Sequence, residues 1–197
     1  MGNDSNHPIY SKNVIEFITV ANEYCKFVET ALDNEKHDFI GKSLKMLSLL
    51  YLKASLLPKV DYILDEGNEK FVTEFEWQLI KNNISTLLEN DDMYVDFFDS
   101  NMEEAPEPVS NFISENLADI YQDLKDFMSI YQIMEPNLMN DALAECAENF
   151  SSYWGYRVVN SMRILHWLQN KDIDTSKDSS NEDSRTGNNP HYRKIGK

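Results

Sequence analysis

The sequence predicts an all-α fold, a single-domain bundle of about five long helices with short helical connectors and a disordered C-terminal tail. Three observations lead there. Apolar residues recur at three- and four-residue steps over most of the 197-residue chain. The six glycines and six prolines fall mostly at the ends of those stretches. No alternating run is long enough to build a sheet. With 42% hydrophobic residues, a domain of this length has material for a core that buries roughly 70% of the unfolded surface.

The first helix is expected from about Val14 to Leu32, with Val14, Ile18, Ala21, Cys25, Val28 and Leu32 on one face. Asn13 and Glu16 stand at capping-box spacing. The second runs from about Glu35 to Leu57 and stops before Pro58, because a residue preceding proline resists the α conformation. Its apolar residues go nearly all the way round, the pattern of a central helix. Lys59 to Glu66 is ambiguous, and Gly67-Asn68 reads as a turn. The third helix spans about Thr73 to Glu89, with Thr73 and Glu76 as its capping box. A connector from Asp91 to Pro108 holds the aromatic cluster Tyr94, Phe97 and Phe98 and the breaker Pro106-Glu107-Pro108. The fourth helix follows Ser110, with Ile113, Leu117, Ile120, Leu124, Phe127 and Tyr131 as its seam. The fifth and longest starts near Pro136, a good first-turn residue, and reaches about Leu168. Residues 171–197 are Ser, Asn and Asp rich and bury too little to offset their ordering entropy. The expected organisation is a flexible N-terminus (1–12), a helical domain (13–170) and a disordered tail (171–197).

Eighteen Lys and Arg against thirty-four Asp and Glu give a formal charge of −16. That balance argues against nonspecific nucleic-acid binding and against anionic membrane surfaces. No apolar run is long enough to span a bilayer. Cys25 and Cys146, far apart and without CxxC spacing, read as buried hydrophobes in a reducing, cytoplasmic setting. Between Lys81 and Lys125 there are eleven acids and no base. This interval is read as a solvated acidic connector or as a docking surface for a basic protein segment.

On the fourth helix Glu115, Asp119, Asp123 and Asp126 step by four, four and three and share one side. Glu145 and Glu148 lie three apart on the fifth. Carboxylate pairs on neighbouring helices suit magnesium or manganese. Asp119, Asp123, Asp126, Glu145 and Glu148 are therefore the ligand set of an alternative reading, a divalent-metal phosphohydrolase resembling all-helical nucleotide pyrophosphatases. Their pairs depart from that family in type and order. A di-iron bundle is set aside, because none of His7, His37, His166 and His191 follows a Glu by three residues.

The fifth helix turns Arg157 into the middle of its apolar face (Leu143, Cys146, Phe150, Trp154, Val158, Ile164, Leu165, Leu168). A buried guanidinium needs a carboxylate. Asp123 is the preferred partner, with Asp119 and Glu29 as alternatives and Tyr153 within reach of the network. One reading is an internal ion pair. The other is an anion pocket lined by Arg157, Tyr153 and Trp154, with Asp119 and Asp123 beside it, where Gly155 permits a close backbone approach.

Several segments occur in a familiar order: Leu50-Tyr51-Leu52-Lys53-Ala54-Ser55-Leu56-Leu57-Pro58, Tyr94-Val95-Asp96-Phe97-Phe98-Asp99, Leu117-Ala118-Asp119-Ile120-Tyr121-Gln122-Asp123-Leu124-Lys125, Trp154-Gly155, and Met162-Arg163-Ile164-Leu165-His166. Together they resemble a bacterial all-helical family known as domain of unknown function 5063, over about Val14 to Leu168. The resemblance implies a helical fold and a cytoplasmic bacterial protein, and it brings no established activity. Family members often carry histidines around the Trp-Gly pair; here those places hold Tyr153 and Arg157.

No GxSxG, P-loop, GxGxxG or HExxH string occurs. The expectation is a non-catalytic acidic module that binds a protein partner or a small ligand without a cofactor. Its partner is unknown, with a basic segment favoured by the acidic connector or a groove beside the fifth helix as the docking place. Phe27, Val20 and Ile15 lie off the main seam of the first helix and offer a second apolar face for a homodimer.

Overall fold

Helix-stop signals and apolar spacing place the elements close to where they occur. The computed structural model describes residues 7–64, 67–96 and 109–182. Helices α1 (Lys12–Glu29), α2 (Lys36–Ala54) and α3 (Glu74–Leu88) precede a two-stranded antiparallel hairpin, β1 (Met93–Asp96) and β2 (Val109–Phe112). Helices α4 (Ile113–Tyr131), α5 (Pro136–Asn149) and α6 (Gly155–Glu182) follow, and a π-helical turn, Phe150–Trp154, joins the last two into one long bent rod. The fold is all-α, as the periodicity predicts, with the hairpin as a small addition. Four-residue strands are too short to show as alternation. Phe97, Phe98 and Pro106 to Pro108 lie outside the described residues, as do 183–197 of the tail. The last helix extends past Leu168, to Glu182.

The helix placed at the centre by sequence is not the one found there. Six of the nineteen residues of α2 are buried, against twelve of nineteen in α4. Helix α4 packs against α1, α3, α5 and α6. Helix α2 covers α1 and α6 and leaves Leu49, Leu52 and Leu56 open on its outer side. An all-round apolar helix is central only if the partners exist to cover it, and among the described elements none covers the far side of α2.

Local capping is partly as expected. Thr73 Oγ1 accepts from the Glu76 N–H at 3.2 Å while Glu76 accepts from the Thr73 N–H at 2.8 Å, the reciprocal box. Glu135 accepts from the Leu138 N–H at the start of α5 (2.8 Å), before Pro136. Asn13 and Glu16 form no box. Asn13 donates to the Leu56 carbonyl (2.9 Å) and Glu16 pairs with Lys53 (2.7 Å), so both serve the α1–α2 contact instead. Helix α4 lacks a cap from its own N-cap residue, Phe112. Buried Asp92 supplies it from across the hairpin, accepting from the Ser114 N–H (2.8 Å) and hydroxyl (2.7 Å).

One core joins all the helices, with Trp154, Phe17, Phe39 and Leu117 fully buried. Ile9 is also fully buried and its carbonyl accepts from Tyr131 Oη (2.8 Å), so the described part of the N-terminal arm packs on the domain. Cys25 and Cys146 are free and buried, and burial pushes both thiols up. Val20 is buried and Phe27 stacks on Phe39 (4.9 Å), which leaves Ile15 as the open member of the second α1 face. Among the described residues no helix is long and apolar enough to cross a membrane.

The π turn depends on Gly155. A Cβ there would collide with the Phe150 carbonyl oxygen, which accepts the Gly155 N–H, and would press on the Phe150 ring. In an ordinary helix interior Gly→Ala gains about 1 kcal/mol; here the sign reverses. Gly155→Ala is expected to cost about 1–3 kcal/mol in urea unfolding. A neutral or stabilised variant would show that the wide turn does not constrain this position.

Candidate functional site

The charged side chains singled out by spacing divide into two separate clusters. The first centres on Asp119 of α4. Its Oδ1 accepts from Trp77 Nε1 (2.9 Å) of α3, and its Oδ2 accepts from Tyr153 Oη (2.9 Å). Arg157 Nε lies 2.7 Å from Oδ2, off hydrogen-bond alignment, so that contact is chiefly Coulombic. The guanidinium also donates to Asn116 Oδ1 (3.3 Å) and Tyr153 Oη (3.2 Å) and sits 4.7 Å from the Tyr153 ring centre. Burial, together with the Asp119 charge, raises the Tyr153 phenol.

Arg157 thus pairs with Asp119, not with the preferred Asp123; Glu29 takes Lys125 (2.8 Å) and Tyr121 (3.0 Å) instead. Its side chain is 32% exposed, at the edge of the apolar face rather than the middle. The cause is the π turn. A wheel of constant 100° steps carries no wide turn, and the extra residue rotates α6 relative to α5. Trp154 does not join the cluster. It is fully buried, stacks on Phe17 (6.4 Å), meets Phe150 at a tilt (4.7 Å), and donates to the Cys146 carbonyl (3.2 Å).

The second cluster lies between α4, α5 and the segment before α3. Asp123 accepts from Asn149 Nδ2 (2.6 Å). Asp126 accepts from the Phe71 and Val72 N–H groups, each at 2.8 Å. Glu145 binds Lys70 Nζ and Asn68 Nδ2, each at 2.7 Å, and Glu148 accepts from Tyr62 Oη (2.9 Å). Asp141, missed by sequence reasoning, accepts from the Ile63 and Leu64 N–H groups, each at 2.8 Å. Burial works to raise its carboxyl, but those donors and Asn140 hold it below the usual range. For Asp126 burial wins and the carboxyl is raised. Its isolation in the sequence hides the Asp141 role, since backbone acceptors announce themselves only when a loop is seen to lack its own hydrogen bonds.

Of the five candidate metal ligands, Asp119 is thus tied to Trp77, Tyr153 and Arg157, and the other four each bind donors of their own. Among the described residues no three His, Cys, Asp or Glu side chains converge as a metal site. The arrangement fastens the described parts of the strap before α3, 57–64 and 67–73, to α4 and α5 and presents no nucleophile beside a base.

The open feature is apolar. A groove of about 530 Å³ runs between the end of α2, the strap and α5, with Leu57, Val60, Tyr62 and Phe150 among its lining and Lys59, Asp61 and Glu148 as its charged members. A second, of about 390 Å³, continues over the π turn between Tyr51, Phe150, Tyr156 and Val159. Tyr51 meets the Phe150 ring edge-on at 5.1 Å and forms the floor between them. Beside it the outer side of α2 shows Leu49, Leu52 and Leu56 at four- and three-residue steps, and Tyr156 is 65% exposed. Sequence placed a groove beside the fifth helix, but the π turn and strap that shape it have no local signature.

Two outcomes test the polar clusters. Asp119→Ala should cost more stability than Arg157→Met, about 2–3 against about 1–2 kcal/mol, because the first strands the Trp77 and Tyr153 donors and leaves the guanidinium without its carboxylate, whereas the second leaves both of those donors on Asp119 and frees only the Asn116 and Tyr153 oxygens; equal costs in urea unfolding would contradict the hub. Burial, ahead of its neighbours, raises the Asp123 carboxyl from 3.8 to about 6. The folded state therefore binds a proton that the unfolded state releases, and stability from this group falls as pH rises from about 4 through 6. Asp123→Asn should match the parent near pH 4 and exceed it by about 1–2 kcal/mol at pH 7.5, after allowance for partial solvation. A variant less stable at pH 7.5 than at pH 4, relative to the parent, would refute that sign.

The chain matches the family described as Domain of unknown function (DUF5063) over residues 8–171. No curated protein matches it. Its fold is similar to the crystal structure of protein BF1032 from Bacteroides fragilis, which is 44% identical, with a TM-score of 0.74 over 83% of this chain and 96% of that one. With a family match that covers nearly the whole described domain and a solved relative of the same fold, the chain belongs to the DUF5063 family.

Proposed function

We propose that this protein is a non-catalytic interaction module and that the face formed by α2, the π turn and the start of α6 binds another protein. The observation that carries this reading is the contrast between its two kinds of surface. The polar clusters are internally paired and hold the fold together. The α2–α6 face leaves Leu52 at 52% and Tyr156 at 65% exposure beside a formed groove. Contiguous exposed apolar side chains around a concavity mark binding surfaces. Tyrosines, which bring large area with few rotatable bonds, are enriched at such places. A π turn is itself a frequent companion of functional sites.

The acidic connector supports this less. Much of it lies outside the described residues, and Asp91 within it is occupied by Lys36 (2.8 Å) and Lys171 (2.7 Å).

The test is a photo-crosslinker placed in the native host at residue 52 or 156, with exposed Asn82 of α3 as control position. The expected result is one discrete adduct of the same mass from both positions, absent from 82 and lost with Leu49→Glu. Adducts that are absent, or equal at all three positions, would overturn the reading.

A further inference from the structure

The larger groove has a floor and a mouth of different character. Small side chains line it from two sides: Ala54 where α2 ends, and Ala144 and Ala147 three residues apart on α5. Their size leaves the concavity, to which Leu57, Val60 and Phe150 add apolar surface. Its volume of about 530 Å³ falls within the range of small-molecule sites, roughly 300–1,000 Å³. The mouth is polar and exposed, with Lys59, Asp61, Tyr62 and Glu148. The Tyr62 ring is held there by its hydroxyl, which donates to Glu148 Oε2 at 2.9 Å.

The charges at the mouth do not cancel. Lys59 forms no ion pair with Asp61 or Glu148, and none of the three has another ion-pair partner among the described residues. Two carboxylates therefore stand against one ammonium. Glu148 uses one oxygen on Tyr62 and leaves Oε1 without a donor, and neither oxygen of the Asp61 side chain has one, among the described residues. The field at Tyr62 has the same sign. Burial pushes its phenol up to about 12, and Glu148, Glu145 and Asp141 add to the rise. Lys70 answers Glu145, and the N–H groups of Ile63 and Leu64 answer Asp141. Asp61 and Glu148 have no such answer from the fold.

We infer that this groove binds a small organic cation, an ammonium group carried on an apolar body. The body displaces water from Leu57, Val60 and Phe150, and the ammonium meets the carboxylates at the mouth. The face of Tyr62 is a further acceptor of positive charge, and its bond to Glu148 fixes the ring before anything binds. Asp61 and Glu148 are exposed, so the cation keeps part of its water and the pair escapes the full cost of desolvation. An anion would find Lys59 alone and meet two carboxylates. The net charge of −16 also favours the approach of a cation. The α2 exit, the strap and α5 wall in the volume of one small molecule, which suits a free ligand better than a broad protein surface. The groove shares Phe150 and Ser151 with its neighbour over the π turn, but its ligand does not depend on whether the α2–α6 face binds a protein.

The experiment titrates the isotope-labelled full chain with three probes that share one body and differ in charge: phenylpropylamine, phenylpropanol and phenylpropionate. Amide NMR shifts report both the site and the affinity. The amine is expected to give saturable shifts centred on Ser55, Tyr62, Ala147 and Ser151, and to bind about five-fold or more tighter than the alcohol and the acid. Asp61→Asn and Glu148→Gln should each weaken the amine by about three- to ten-fold; the second keeps an acceptor for Tyr62, so it removes the charge and spares the wall. Lys59→Met should leave the amine unchanged or bind it more tightly. Ala147→Leu, at a partly exposed position, fills the groove and should abolish saturation in a chain that a thermal melt shows to be folded. No saturable shift with the amine, equal binding of the three probes, preference for the acid, or shifts centred elsewhere would overturn the inference. So would indifference to both carboxylate substitutions, or weaker amine binding by Lys59→Met. Tighter binding of the blocked tripeptide acetyl-Ala-Lys-Ala-amide than of the amine would assign the cation to a protein chain and would likewise overturn the small-molecule assignment.

Discussion

The constraint on which the structure turns is the desolvation of carboxylates on its central helix. Helix α4 is buried on most sides and still carries Asp119, Asp123 and Asp126. Each must find donors, or its burial costs several kcal/mol. The donors come from different directions: Trp77 from α3, Tyr153 and Arg157 from the bent rod, Asn149 from the end of α5, and the backbone of Phe71 and Val72 from the strap. The packing of four segments around α4 therefore has a polar specification beneath its apolar one. Asp141 repeats the arrangement from α5 by holding Ile63 and Leu64.

Those anchors also shape the open face. The strap has no regular secondary structure over 57–64, so its N–H groups need acceptors from outside. Once Asp141 accepts from Ile63 and Leu64, and Asp126 from Phe71 and Val72 further along, the strap stands off α2 and the groove opens between the two. The π turn makes the complementary contribution. By widening one turn it sends Trp154 into the core, Arg157 to the edge and Tyr156 outward. A regular helix through the same residues would not place all three this way. The polar interior and the apolar exterior are in this sense consequences of the same packing. The fold itself is shared with protein BF1032.

Much was legible without coordinates. The helical class, the number of long rods, the capping box at Thr73 and Glu76, the start at Pro136 and the burial of both cysteines rest on local rules, and local rules read well along a chain. The family resemblance read from ordered motifs agrees with the family to which the chain belongs. Reading was weaker wherever two distant segments compete for one group. Asn13 and Glu16 have the spacing of a cap but are drawn to α2. Asp123 looked like the partner of Arg157, and a change of helical register gave that place to Asp119.

By itself, then, the sequence determined that the chain forms helices, where most of them begin, and which side of each is apolar, because those properties follow from steps of three and four residues and from the chemistry of helix ends. It also determined the uneven charge, with eleven acids and no base between Lys81 and Lys125. Only the tertiary structure decided which helix is central, which carboxylate meets the arginine, and that Tyr51 of α2 and Tyr156 and Val159 of α6 lie side by side around a groove. Those outcomes depend on contacts between residues dozens of positions apart and on one wide turn, and neither leaves a periodic trace in the chain.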